Sequence, residues 1–512
     1  MRTNREMVMR VAVSLMVLGI ALAGCHSQAD QSNSGTAAQA SARQIAWREG
    51  DVDDAFAEAK EAKKPVLLYW GAKWCPPCNL MKQTLFKDPA FIAETANFIP
   101  VHLDGDAKDA QLWGAKFGIQ GYPTVIILTP DRQEVTRLSG GSTSGQLADV
   151  LEVAATRTSS TEDLLKRADD PKSLSADDWR LLASFDWFDD PKHFGDYPKA
   201  AAFLAKLADA APDPAMKRHF TLTSLLLGGG TGDKPKLDAA QQAQVRAVLP
   251  AILADYDEVK ANRQEVGSAA GLILALPDPA ERKALGDKLT AALDRLAADD
   301  SIPLYDRLAT AEAEITLSKG LNGGKVTPDV MAKVRQRVAM ADKGATDPQM
   351  RQAVMPSAGD LLDEAGDRAG AEKLLRSELP KAVAPYYFMV DLAGLKEETK
   401  DYPAAIGWLK QAAETAQGPA TRIQWAIFYS NGVMRMTPDD KAAVEQSAGM
   451  VIDALGANSS GYAERTEKKA GDWAKKLREW SGKHGGGDVL ARLDAKMGQA
   501  CAKGGCKDVL KG

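Results

Sequence analysis

The stretch KWCPPCN, residues 73–79, sets two thiols two residues apart, Cys75 and Cys78, with Pro76 and Pro77 between them and Trp74 in front. Cysteines at this spacing exchange electrons as a dithiol–disulfide pair, supply half of a metal site, or close a structural clip. A structural zinc site takes four ligands, of which one CxxC supplies two. The chain has five histidines, and none stands at ligand spacing from another cysteine. His102 falls in an apolar stretch and reads as a residue at the edge of the core. A clip is a poor use of the pair, because the small ring that CxxC closes is strained and readily reduced. Redox exchange suits the pair best, with no metal and no cofactor.

Three more cysteines complete the set of five. Cys501 and Cys506 flank Ala-Lys-Gly-Gly near the C-terminus. They read as a local structural disulfide that closes the tail, with a second redox pair relaying to Cys75/Cys78 as the other reading. An even, locally paired set suits an oxidising compartment. Cys25 stands apart. Arg2, Arg5 and Arg10 precede an apolar run, residues 11–23, that is short for a membrane span. Leu22-Ala23-Gly24-Cys25 resembles a bacterial lipobox, against the alternative of an ordinary secretory signal with an incidental cysteine. The resemblance implies a signal peptide over 1–24, cleavage before Cys25, and lipid on that residue. His26 in place of Asp resembles an outer-membrane address. The expected location is the periplasmic side of a bacterial membrane, lipid-anchored, the outer membrane rather than the inner. Residues 25–44 hold the lipidated cysteine and a tether too polar to offset chain entropy by burial. The net charge of −5 offers no footprint for nucleic acid.

The elements around the first pair follow from periodicity. Residues 50–64 read as a helix with Val52, Phe56 and Ala59 on one face, stopped by Pro65. VLLYW, 66–70, is a continuous apolar run, as in a buried central strand. The pair follows at once, and NLMKQTLF continues as helix with Leu80, Met81 and Leu85 inward. Strands are expected over 98–104, 122–128 and 134–140, and helices over 107–118 and 142–156, the last capped by Ser142 or Thr143.

A CxxC between a buried strand and a helix resembles the thioredoxin motif. With TLFKDPAF downstream, the segment is similar to thioredoxin-like domains of the DsbD C-terminal type, over residues 45–156. The resemblance implies an α/β thioredoxin fold, a central mixed sheet flanked by helices. It makes Cys75 the nucleophile at the helix mouth and Cys78, one turn in and more buried, the resolving thiol. The helix N-terminus favours a thiolate, and Pro76 and Pro77 tune the couple. GIQGYPT, 118–124, resembles the segment in which a cis proline lies beside the CxxC. Pro123 would be cis, and Trp74, Tyr122 and Pro123 would contact substrate, Tyr122 by backbone pairing. One departure stands out: the acid that thioredoxins place six residues before the first cysteine is Tyr69 here. Glu58 and Glu61 are the acids nearest in sequence. Lys73 reads as a solvated lysine.

Residues 157–162 read as a linker. From 163 to 500 strand signals vanish and helical stripes recur, such as Leu285, Leu289, Leu293 and Leu296. GDRAGAEKLLRSEL (366–379) and KDYPAAIGWLKQAAE (400–414) align at a spacing of 34, Asp367 with Asp401, Ala371 with Ala405 and Leu375 with Leu409. This resembles tetratricopeptide repeats. The expectation is a large all-α domain, a helical-repeat array or a bundle, ending in a tail over 501–512. Trp179, Trp187 and Trp408 read as core residues rather than a groove. The chain is therefore expected to be an anchored, exported thiol–disulfide oxidoreductase acting on protein thiols or disulfides. The reducing direction is preferred, which requires a separate membrane electron donor. The competing expectation is a lipid-anchored interaction scaffold whose helical domain carries the function.

Overall fold

The computed structural model describes residues 44–72, 75–119, 121–139, 144–156, 159–185, 187–188, 194–229, 235–501 and 505–511. Cys25, the signal segment, the tether to residue 43, Lys73, Trp74, Ser142 and Thr143 lie outside the described residues.

A mixed five-stranded sheet has the order β1-β3-β2-β4-β5. Its centre is β2, Val66–Gly71, buried at all six positions, as its uninterrupted apolar run requires. Ahead of it, α1 (Val52–Ala62) is capped by the Asp51 side chain, which accepts from the Asp54 N–H. It ends when Lys63 turns left-handed at φ 53°, two residues before the proline expected to stop it. The short strand β1, Arg48–Glu49, runs parallel to β3, Ile99–Asp104, with Arg48 opposite Val101 and Glu49 opposite His102. β4 (Thr124–Leu128) pairs antiparallel with β5 (Glu134–Ser139). β2 and β3 end together: the Gly105 N–H donates to the Gly71 carbonyl at 2.8 Å.

After β2 come α2 (Pro76–Gln83), a 3-10 turn at Leu85–Lys87 and α3 (Pro89–Thr95). The first carries the helix expected over 79–86 only to Gln83 before the 3-10 turn, and the second lies beyond that expectation. The second carried a readable signal in Asp88-Pro89: the Asp88 carboxylate accepts from the N–H groups of Ala90 and Phe91, and Pro89 opens the helix. Helices α4 (Lys108–Lys116) and α5 (Ser144–Ala155) complete this part. Side chains of β2 alternate between the two faces of the sheet. Trp70 donates its indole N–H to the Ala110 carbonyl of α4 at 3.0 Å, whereas Tyr69 stacks with His102.

The chain divides into two compact units: Met1–Tyr69, Pro77–His102 and Gln120–Ala345 in one, Trp70–Pro76, Leu103–Ile119 and Thr346–Gly512 in the other. The first holds most of the sheet and a run of helices that begins at Thr161, inside the stretch read as a linker, where Ser160 forms a capping box with Asp163. The stripe Leu285, Leu289, Leu293 and Leu296 is buried there with Ile273 and Leu317.

The second unit contains a helical-repeat region of three successive helix pairs: Pro348–Ala365 with Arg368–Glu378, Pro385–Glu398 with Tyr402–Thr415, and Pro419–Met436 with Lys441–Ala457. Each first helix opens on proline. Each second helix is capped by an aspartate, Asp367, Asp401 or Asp440, accepting from the N–H three residues on. Ala371 and Ala405 are fully buried at the pair contacts, and a Cβ on Gly359 would run into the Leu375 side chain. The third copy escaped the sequence comparison because its cap lies 39 residues after the second, not 34, and Val444 and Ala448 stand where the other copies have alanine and leucine. Trp179 and Trp187 are buried as expected, and Trp408 is partly buried with the Arg376 guanidinium 5.0 Å from its ring centre.

The helices Glu464–His484 and Gly487–Ala500 follow. Lys469, half-buried, donates to the Gln424 side chain. Burial, helped by the charge of Arg465, pushes its ammonium from an ordinary 10.5 down to about 7. Above pH 7 the unfolded chain therefore binds the extra proton, and stability rises with pH until the free lysine titrates. The urea midpoint is expected to climb between about pH 7 and pH 10, and to climb less in Lys469→Met.

Candidate redox site

The site begins where β2 ends. Cys75 donates its N–H to the Ala72 carbonyl at 3.3 Å, turning the chain off the sheet. α2 starts one residue later. Pro76 and Pro77 take its first two positions, where a backbone N–H has no partner inside the helix and proline costs nothing. Cys78 takes the third. Cys75 and Cys78 are both disulfide-bonded, the oxidised form of the pair. Both are 0% exposed. The expected contrast, with Cys75 at an open mouth and Cys78 buried, is absent from this oxidised state. Among the described residues, no group of three or more His, Cys, Asp or Glu side chains is arranged to hold a metal.

The Tyr122–Pro123 peptide is cis. Pro123 is buried and Tyr122 half-buried, immediately before β4, the neighbour of β2 in the sheet. The Thr124 hydroxyl donates back to the Gly121 carbonyl at 2.8 Å and closes this approach. Cys501 and Cys506 form a disulfide with Cα atoms 5.5 Å apart. Both are 1% exposed, in a core shared with Met497 and Leu510.

At the position of the missing acid, the Tyr69 ring stacks on His102 with centroids 5.2 Å apart and meets Phe86 edge-on at 4.9 Å. Trp47 packs on Tyr69 and Phe86. His102 shares a proton through Nδ1 with the Glu49 carboxylate, 2.8 Å away, while its Nε2 is buried with no hydrogen-bond partner among the described residues. Glu58 and Glu61 do not fill the role: Glu58 pairs with Arg48 and both are exposed. The Glu49–His102 pair was not read from the sequence, because it depends on β1, a strand of two residues with no periodicity to reveal it. Tyr69→Ala would empty the centre of this aromatic stack. It is expected to cost about 3–5 kcal/mol in urea unfolding, as other buried aromatic truncations do.

The comparisons agree with this geometry. A thioredoxin-like family profile matches residues 46–130. Thiol:disulfide interchange protein DsbD 1 of Pseudomonas aeruginosa is 31% identical over 110 residues, 21% of this chain and 19% of the relative. DsbD of Vibrio vulnificus is 35% identical over 78 residues, 15% of this chain and 13% of the relative. A thioredoxin of Alicyclobacillus acidocaldarius is 29% identical over 103 residues, 20% of this chain and 94% of the relative. The chain thus spans about a fifth or less of the length of the DsbD relatives. Among solved structures, one from the APC/C hetero-tetramer Cut9-Hcn1 aligns with 72% of this chain and 62% of that chain at 11% identity. Its TM-score of 0.24 is too low to support an inference. Strand order, a disulfide-bonded CxxC between β2 and α2, and the family match agree: residues 46–130 of this chain are a thioredoxin-like domain.

Proposed function

We propose that the chain is a protein thiol–disulfide oxidoreductase that works as a reductant on exported proteins. The observation that carries this reading is the disulfide-bonded Cys75/Cys78 pair at the start of α2. In the reduced enzyme the Cys75 thiolate attacks one sulfur of a substrate disulfide. A mixed disulfide forms and the substrate's other sulfur leaves as a thiolate, taking a proton from solvent. The Cys78 thiolate then attacks the Cys75 sulfur, and the second substrate sulfur leaves. Two electrons pass to the substrate and the enzyme ends as the Cys75–Cys78 disulfide. A dithiol donor returns the electrons, and we assign that role to a separate membrane protein. Helix α2 favours the attacking thiolate through its dipole and through the first-turn N–H groups of Cys78 and Asn79, which follow the two prolines.

In this reading Trp74, Tyr122 and Pro123 contact the substrate, and Pro76 and Pro77 tune the couple. Cys501–Cys506 is structural, and Cys25 carries the lipid that holds the enzyme on the periplasmic side of the outer membrane. The relatives named as thiol:disulfide interchange proteins support the chemistry. The three helix pairs of the repeat region favour a second reading, an anchored interaction scaffold, since such arrays present extended surfaces to proteins.

Cys75→Ser separates the two. It is expected to abolish disulfide reduction and the function lost in a deletion strain, and full complementation by this variant would leave the scaffold reading standing. Cys78→Ser is expected to accumulate mixed disulfides with substrates, visible on non-reducing gels. The potential of the Cys75/Cys78 couple fixes direction: a value near −270 mV, as for thioredoxin, is expected, whereas one near −120 mV belongs to an oxidant.

A further inference from the structure

We propose that the helical-repeat region forms a fixed wall beside Cys75, latched by Asp106 and Gln111, which admits only partners that present their cysteines on a protruding, extended segment. The inference rests on the redox reading above. Trp70–Pro76, Leu103–Ile119 and Thr346–Gly512 belong to one compact unit, so Cys75 and the repeat region are parts of the same body.

Two polar contacts make the latch. The helix Pro419–Met436 has no cap of its own, for Gly418 stands at its N-terminus with φ 94°. Asp106, in the loop after β3, supplies the cap: its carboxylate accepts from the Thr421 N–H at 3.2 Å and the Thr421 hydroxyl at 2.8 Å. A Cβ on Gly418 would collide with that carboxylate. On α4, Gln111 is 4% exposed. It donates to the Gly461 carbonyl at 3.2 Å and accepts from the Thr466 hydroxyl at 3.0 Å. Gly461 in turn lies against the backbone of Pro419 and Ala420. Caps and buried side-chain bonds that span more than three hundred residues of sequence are a docking interface.

The latch is close to the disulfide. Gly105, next to Asp106, is bonded to Gly71, and Cys75 turns back onto Ala72. Chain geometry then keeps the Cα atoms of Cys75 and Asp106 within roughly 20 Å. A folded partner that docks over a reactive sulfur covers about 800 Å² of each surface, a disc of about 16 Å radius. The latch therefore lies inside such a footprint centred on Cys75 or at most a few ångströms beyond its rim, where the body of a folded partner overhangs and a short peptide does not. Cys75 itself is 0% exposed, as expected of a thiol with structure on more than one side.

The test uses the full soluble chain and two disulfide probes, insulin and a short unstructured peptide carrying one disulfide. Asp106→Ala/Gln111→Ala releases the latch, and Gly418→Ala does so independently by steric conflict. The inference expects faster hydrogen exchange at residues 419–424. It also expects insulin reduction to rise about tenfold while peptide reduction stays within about threefold, a ratio in the usual range for coupled sites. An unchanged insulin-to-peptide ratio in variants that exchange faster overturns the wall, and unchanged exchange overturns the latch. If wild type fails on the peptide as completely as Cys75→Ser does, the redox reading has failed instead.

Discussion

The rest of the site hangs on one buried strand. β2 has no exposed residue, so its backbone must pair on both sides and its side chains must pack on both faces. That single requirement fixes where the chain leaves the sheet, and hence where Cys75 stands. A one-residue slip would send Trp70 toward His102 and Tyr69 toward α4, exchanging two rings of different size and polarity. The hydrogen bonds of Trp70 to Ala110 and of Gly105 to Gly71 lock the same register from the α4 side. The pair is thus positioned by the packing of β2 and by the hydrogen bonds at its end.

Much of this was legible. VLLYW announced a buried strand because nothing polar interrupts it, and WCPPC announced a helix start because two prolines are tolerated in the first turn only. What was hidden was cooperative. β1 is too short to show a period and is held by its pairing with β3. The end of α1 at Lys63 is a backbone conformation that no residue preference marks. The third helix pair was lost because its period stretches and its small and large residues trade places, although the aspartate cap was in plain view. The burial of Cys75 could not be read at all, since it depends on neighbours far away in sequence.

The replacement of an acid by Tyr69 changes the electrostatics of the site. A carboxylate under the sheet would need desolvation and a partner. A phenol ring packed between His102, Trp47 and Phe86 needs neither charge nor counter-charge. A carboxylate instead lies at the sheet edge, where Glu49 is exposed and hydrogen-bonded to His102. Stability is gained by apolar contact at the place where the resemblance leads one to expect a proton carrier.

The tail disulfide acquires a meaning in this setting. Five positions apart in sequence, Cys501 and Cys506 close so small a ring that the bond restrains little of the unfolded chain. Yet both sulfurs are shut inside a core of Met497, Leu493 and Leu510. A thiol–disulfide oxidoreductase thus carries, besides its working pair, a second disulfide of its own. Burial keeps that bond out of reach of an attacking thiolate, so it is screened from the exchange chemistry of the first pair.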